Sequence, residues 1–262
     1  MKTINSLILL IGIYLSVQII GINVGLELTR QIENSVIPPA VENPESTSAS
    51  IQIFTYILLV TGVLLVFIRF KLELVIRILL LIGIFGGIFL AFWSLFGDYA
   101  LLLTIILIGI TVWKMKNPLL VNFTLIWTIS GIGGYLGASL HFLPSLLLLV
   151  ALSVYDILAV FWTGHMVKLA KEFKEKMPLF FSIPVKDRML GLGTGDLAIP
   201  LVFSVSVLGD YGLTHALVTS AGGLLGLVSL FFYISGKKDV ALPALPPIAI
   251  GLIIGFLIGL LL

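Results

Sequence analysis

The chain contains no cysteine, only three histidines and few charged residues. Without cysteine there can be no disulfide and no thiolate nucleophile, and the scattered histidines do not suggest a metal site. Charged residues make up 11% of the 262 residues, whereas a soluble domain carries about 25%. This composition excludes an ordinary soluble domain. The net charge of +2, with the basic residues in loops, also lacks the signature of a nucleic-acid-binding protein.

Hydrophobic residues account for 59% of the chain, and its mean hydropathy is +1.20. They form repeated runs of about 20 residues, the length at which a helix crosses the hydrocarbon core of a bilayer. Only helices and closed barrels satisfy their backbone in lipid, and the alternating pattern of a barrel strand is missing. The sequence therefore predicts an all-α, multi-pass protein integral to the lipid bilayer. The nine predicted transmembrane helices cover residues 4–28, 51–68, 74–96, 99–113, 118–140, 144–167, 189–209, 213–235 and 242–262.

The basic residues predict how the chain is oriented in the membrane. With nine spans, all of the 15 Lys and Arg residues except Arg30 fall on the side that holds the N-terminus. The positive-inside rule makes that side cytoplasmic. We therefore expect the N-terminus in the cytoplasm, the C-terminus outside, and the polar segment Glu42–Ser50 exposed on the outer side.

Two acidic residues, Asp156 and Asp196, lie inside predicted spans, whereas the other eleven lie in loops or near span ends. An ionised acid at mid-bilayer costs on the order of 3 kcal/mol, and intramembrane acids usually pair with another group. No Lys, Arg or His lies at a matching depth in any predicted span. The best candidate partner of each aspartate is therefore the other.

The two aspartates can reach a common depth in the membrane. Asp156 lies twelve residues before Lys168, which is about 18 Å along a helix. Asp196 lies eight residues after Arg188, or about 12 Å if this stretch is helical. Met189–Gly195 contains three glycines, which weaken a helix. Extended backbone there, at about 3.3 Å per residue, would bring Asp196 to the depth of Asp156.

Two carboxyls that meet in a low-dielectric site cannot both ionise, and they share one proton. Such a pair can perform aspartic proteolysis: one carboxylate takes a proton from an attacking water, and the other stabilises the developing oxyanion. Paired intramembrane carboxylates and glycine-broken helices also build proton-coupled or cation-coupled transporters, which is the alternative function. A scaffold for membrane helices is a third reading, although the presence of both aspartates argues against it.

Three short motifs resemble those of a known family. Tyr155-Asp156, Gly193–Asp196 (GTGD) and Pro243–Pro246 (PALP) are similar to the YD, GxGD and PAL motifs of the presenilin and signal peptide peptidase family, which are intramembrane aspartyl proteases. They occur in the same order and on the same predicted spans, the sixth, seventh and ninth. Over residues 144–262 the resemblance is specific, because all three motifs lie there. Over residues 1–143 it rests only on the number of predicted spans.

The predicted orientation is that of presenilins and opposite to that of signal peptide peptidases. The short termini resemble a compact prokaryotic or archaeal presenilin homologue, which implies a presenilin-like fold in the plasma membrane of a prokaryote. The chain would be one integral membrane domain with an N-terminal helical bundle, 1–143, that contains spans one to five. A catalytic part, 144–262, would contain spans six to nine.

The resemblance also implies the roles of individual residues. Asp156 and Asp196 would be catalytic. Substrate would be bound by Tyr155, Gly193, Thr194, Gly195, Pro243, Ala244 and Leu245. The substrates would be transmembrane helices of other proteins, and neither a metal nor another cofactor would take part. The sequence leaves the oligomeric state open.

The motif residues have physical reasons to serve these roles. Pro243 and Pro246 would hold Ala244-Leu245 in an extended segment, whose backbone groups could pair with an unwound substrate by strand addition. Glycines before Asp196 would allow close backbone approach. The chain departs from presenilins in two places: the loop Lys168–Asp187 is much shorter, and Thr194 stands where presenilins have leucine.

Overall fold

The computed structural model describes residues 2–163, 180–185, 188–235 and 242–262. Within these ranges the chain forms nine α-helices and one antiparallel hairpin of two strands. The helices are α1 (Lys2–Glu33), α2 (Thr47–Arg69), α3 (Glu73–Phe96), α4 (Ala100–Trp113), α5 (Pro118–Ala138), α6 (Phe142–Leu158), α7 (Gly195–Tyr211), α8 (Leu213–Ser235) and α9 (Leu245–Gly259). The strands are β1 (Phe180–Val185) and β2 (Arg188–Gly193). A 3-10 turn, Gly97–Tyr99, joins α3 to α4, and a π-helical turn, Ala159–Thr163, follows α6.

The helices confirm an all-helical, multi-pass membrane protein. By length and apolar composition, six stretches of the described residues could each cross a membrane: Ile4–Glu33, Thr47–Arg69, Glu73–Trp113, Pro118–Ala138, Phe142–Phe161 and Leu213–Ser235. The third stretch contains two helices, because the chain turns at Gly97, where φ is +56°, and α3 and α4 then pack against each other through Ile88 and Leu107. Helices α7 and α9 are shorter, with 17 and 15 residues. The count of nine transmembrane spans stays a prediction.

Helix α7 lies at the centre of the bundle. Helices α1, α5, α6, α8 and α9 all pack against it, and its side chains from Pro200 to Leu208 are all buried. A helix that is apolar on every side belongs in such an interior position. Helix α2 is the opposite case, since only Ala49, Ser50 and Ile53 near its start are buried. One core cluster joins residues of α1 and α5 to residues of α6–α9 and of the hairpin.

The hairpin corrects two expectations from the sequence, one about the seventh span and one about the loop that precedes it. The helix predicted for 189–209 begins only at Gly195, and residues 189–193 belong to β2. Glycines at 191 and 193 disfavour helix, and the extended backbone expected between Met189 and Gly195 is confirmed as far as Gly193. The segment Lys168–Asp187 was expected to be a loop, but residues 180–185 form β1, with Phe181 and Ile183 fully buried. The rest of that loop lies outside the described residues.

Candidate active site

Asp156 lies near the end of α6 and faces the start of α9. Its Oδ2 accepts a hydrogen bond from the backbone N–H of Leu245 at 3.1 Å, and the backbone of Ala244 adds a second interaction with the same carboxyl. Leu245 is the first residue of α9, so its N–H has no partner within its own helix. A carboxylate is a favourable partner for such a helix start, where the backbone dipoles leave partial positive charge. The YD and PAL motifs therefore meet directly.

Asp196 is the second residue of α7 and is separated from the end of strand β2 by Thr194 and Gly195. Its carboxyl accepts a hydrogen bond from the backbone of Gly193. A methyl group added at Gly193 would lie 2.9 Å from Asp196 Oδ2, which is closer than a carbon atom tolerates. The Asp196 carboxyl would therefore have to shift to make room for a side chain at Gly193. The room for close approach of a substrate backbone, which the sequence predicted for these glycines, stays a prediction.

This arrangement places Asp156 near enough to Asp196 for its charge to act on the Asp196 carboxyl. The predicted common depth of the two aspartates is consistent with this effect. Their catalytic roles remain a prediction that geometry alone does not test.

The remaining predicted site residues divide between the site and its surroundings. Thr194 precedes α7 and accepts backbone hydrogen bonds from Leu197 at 3.3 Å and Ala198 at 3.0 Å, so it caps the helix through its backbone. Gly195 is exposed at the first position of α7. The ring of Tyr155 packs edge to face on Phe54 of α2, with centroids 6.3 Å apart. The predicted role of Tyr155 in substrate binding stays a prediction.

The extended conformation expected for the PAL segment is wrong. Pro243 precedes α9 in irregular backbone, but Ala244 has helical dihedrals and Leu245 already belongs to the helix. Pro246 and Pro247 do not prevent this, because proline fits the first turn of a helix, where its missing N–H would have no partner. The N–H of Leu245 is also occupied by Asp156. The segment therefore holds the aspartate and does not offer a free strand edge.

Among the described residues, the outer edge of β2 in the hairpin has no partner strand, and the sequence did not predict this hairpin. Phe180 pairs with Gly193 and Val185 with Arg188 in an antiparallel register. The signal was two apolar runs on either side of Lys186-Asp187, two residues that lie outside the described ranges. The first run contains Pro184, and no glycine lies at the turn. Both features argue against a hairpin, so the sequence did not predict one.

No metal cluster is found in the described part of the chain, where no three His, Cys, Asp or Glu side chains are arranged to hold an ion.

A second acidic group lies at the far end of α7. Asp210 Oδ2 accepts a hydrogen bond from the N–H of Phe142 at 2.6 Å, and Asp210 Oδ1 lies 2.8 Å from His141 Nδ1. Because Phe142 is the first residue of α6, Asp210 acts as its N-terminal cap.

Comparison with known proteins adds a family and a fold. The sequence model of the family described as "Signal-peptide peptidase, presenilin aspartyl protease" matches residues 11–189, which include Asp156 and end before Asp196. A solved structure of a presenilin family intramembrane aspartate protease, in space group P2, is 26% identical, with a TM-score of 0.67 and 96% of each chain covered. A second, in space group C222, is 23% identical with a TM-score of 0.67, covering 95% of this chain and 94% of the other, and supports the fold alone. No curated protein matches the chain.

Proposed function

Because the chain belongs to the signal-peptide peptidase and presenilin aspartyl protease family, we propose that Asp156 and Asp196 form its catalytic dyad and that it cuts peptide bonds within transmembrane segments of other proteins. The chain is thus an intramembrane aspartyl protease. The observation that carries the proposal is that the charge of Asp156 acts on the Asp196 carboxyl, while a backbone amide holds each of the two groups. Two carboxyls so placed share one proton.

A shared proton gives the two carboxyls complementary roles. The ionised carboxylate takes a proton from water as the water oxygen attacks the carbonyl carbon of the peptide bond. The protonated carboxyl donates a hydrogen bond to the carbonyl oxygen and stabilises its developing negative charge. The tetrahedral intermediate then breaks its C–N bond as the nitrogen receives a proton, which gives a carboxylic acid and an amine.

The substrate must lose helical structure before its peptide bond can meet water, and its backbone then needs new hydrogen-bond partners. Strand β2 is suited to supply them. Within the described residues it pairs with β1 alone, and it ends at Gly193, three residues before Asp196. We infer that an unwound substrate segment adds to the outer edge of β2 and is guided along it to the dyad.

The test is cleavage by the purified protein. The wild-type protein, in detergent or liposomes, is incubated with a generic single-span substrate, and mass spectrometry locates the cut. We expect fragments with ends inside the span and no fragments from Asp156→Asn or Asp196→Asn. Asp210→Asn is the matched control, since it makes the same change on α7 away from the dyad and should retain activity.

Two experimental outcomes would contradict the proposed protease function. A folded Asp156→Asn or Asp196→Asn variant with more than a few per cent of wild-type turnover would exclude the dyad. Uptake of a solute or proton current without any peptide hydrolysis would support the coupled transporter that the sequence left as the alternative.

The orientation and the location in the membrane belong to the proposal as well. We propose an N-terminus in the cytoplasm, a C-terminus outside, and a location in the plasma membrane of a prokaryote. The Lys and Arg distribution supports the orientation.

A further inference from the structure

An asparagine on α5 pairs with β1 as a neighbouring strand would. The Asn122 side chain is 3% exposed. Its Nδ2 donates to the backbone oxygen of Ser182 at 3.0 Å, and its Oδ1 accepts from the backbone N–H of Ser182 at 3.0 Å. Exchange of both an N–H and a C=O with one residue is the pattern of a hydrogen-bonded pair in an antiparallel sheet.

The next outward group on β1 is also occupied. Ser6 of α1 donates a hydrogen bond from its hydroxyl to the backbone oxygen of Pro184. Pro184 has no N–H to satisfy. From Ser182 to Pro184, the outer edge of β1 is therefore closed by side chains of α5 and α1, and a substrate strand cannot pair there.

These contacts also define which groups β2 offers. Ser182 directs its N–H and C=O to Asn122 and so away from β2, which makes Ser182 and Gly191 a pair without mutual hydrogen bonds. Gly191 then directs its own N–H and C=O to the outer edge of β2. Gly191 is also exposed. A slip of one residue in the hairpin would turn these groups inward.

We propose that Asn122 is a positioning residue for this protease, which closes the outer edge of β1 and fixes the hairpin so that the substrate pairs with Gly191 on β2. The inference rests on the proposed function, since it concerns where the substrate strand binds relative to Asp196. Asn122 itself is expected to touch neither the substrate nor the two aspartates. It acts through the hairpin.

The test replaces Asn122 by alanine, which removes both contacts with Ser182. We expect kcat/KM for a single-span substrate to fall roughly 10- to 100-fold, mainly in kcat, because the peptide bond is misplaced relative to the carboxyls. We also expect the fragments to have shifted or mixed ends. Deuterium exchange should become faster in the peptide that contains Ser182.

Ser130→Ala is the matched control. Ser130 also lies on α5, is fully buried and donates from its hydroxyl to the backbone oxygen of Val17 on α1 at 3.3 Å. Its loss should lower stability without moving the cut or changing exchange in the hairpin. If Asn122→Ala does not fold, Asn122→Leu serves in its place, because it keeps a side chain of similar volume and removes both hydrogen bonds to Ser182.

The outcomes separate the inference from the function. Cleavage by the Asn122 variant at the wild-type bonds, with kinetic constants equal to those of Ser130→Ala, would overturn the inference and leave the protease intact. Absence of cleavage by the wild-type protein would overturn the proposed function, and exchange at Ser182 would still decide whether Asn122 closes the edge.

Discussion

Replacing Gly191 by proline tests whether the outer edge of β2 binds the substrate. The change removes one N–H that points to that edge and none that bonds to β1, because Gly191 and Ser182 share no hydrogen bond. The backbone of a β-strand suits proline at an edge position. The hairpin should therefore survive, and the substrate should lose one backbone partner.

The magnitude follows from one hydrogen bond. A single backbone hydrogen bond contributes about 0.5–1.5 kcal/mol net, which corresponds to a loss of roughly 2- to 12-fold in kcat/KM. The bond helps to bind the substrate strand both before and during the reaction, so the loss should appear mainly as a higher KM. The assay is initial-rate cleavage of a single-span substrate in detergent over a range of substrate concentrations.

Gly191→Ala is the control that adds a side chain but keeps the N–H. A methyl group at this position would meet the Phe180 side chain at 3.6–3.9 Å, which is ordinary van der Waals contact. We expect it to behave as the wild type. Equal KM values for the proline variant, the alanine variant and the wild type would refute substrate pairing at this edge.

Three further results are expected. Asp210→Ala should destabilise the protein by about 1–2 kcal/mol, because Phe142 loses the acceptor that caps α6; an unchanged thermal midpoint in detergent would contradict this. Cysteines placed at Lys174 and Lys238, both outside the described residues, should label from the cytoplasm and one at Ser46 from outside; no native cysteine adds background, and labelling of 174 and 46 from one side would overturn the span count. Initial cleavage rates should follow a bell in pH, whose two apparent constants belong to the pair of carboxyls; a rate that keeps rising toward alkaline pH would exclude a shared proton.

Composition and periodicity were sufficient for the fold class, and they singled out two aspartates. Charge is so scarce in the predicted spans that Asp156 and Asp196 stood out without any structural information, and in the structure the charge of one acts on the other. Their catalytic roles stay a prediction. Helix limits were predictable where apolar runs end in polar residues, as for α8, which begins and ends where the sequence predicted.

The hairpin and its support were not predictable in the same way. The pattern Phe181, Ser182, Ile183 alternates correctly for a strand, but it is too short to outweigh Pro184. The prolines on either side of Ala244-Leu245 led us to expect an extended segment, but a helix begins at Leu245. Nothing in the sequence near Asn122 indicates its partner, because the contact joins residues 60 positions apart.

The proposed dyad and the outer edge of β2 both depend on places where the backbone departs from regular helix. Irregular backbone at membrane depth is tolerated where protein covers it or where it lines a water-filled cavity. The first helical N–H of α9 bonds to Asp156, the last residue of β2 bonds to Asp196, and Asn122 bonds to β1. These contacts leave the backbone N–H and C=O of Gly191 facing the outer edge of β2. Under the proposed function, an unwound peptide has to pair with one defined strand edge beside the aspartates. Asn122 and Ser6 occupy the outer edge of β1, so the outer edge of β2 is the one left for the substrate.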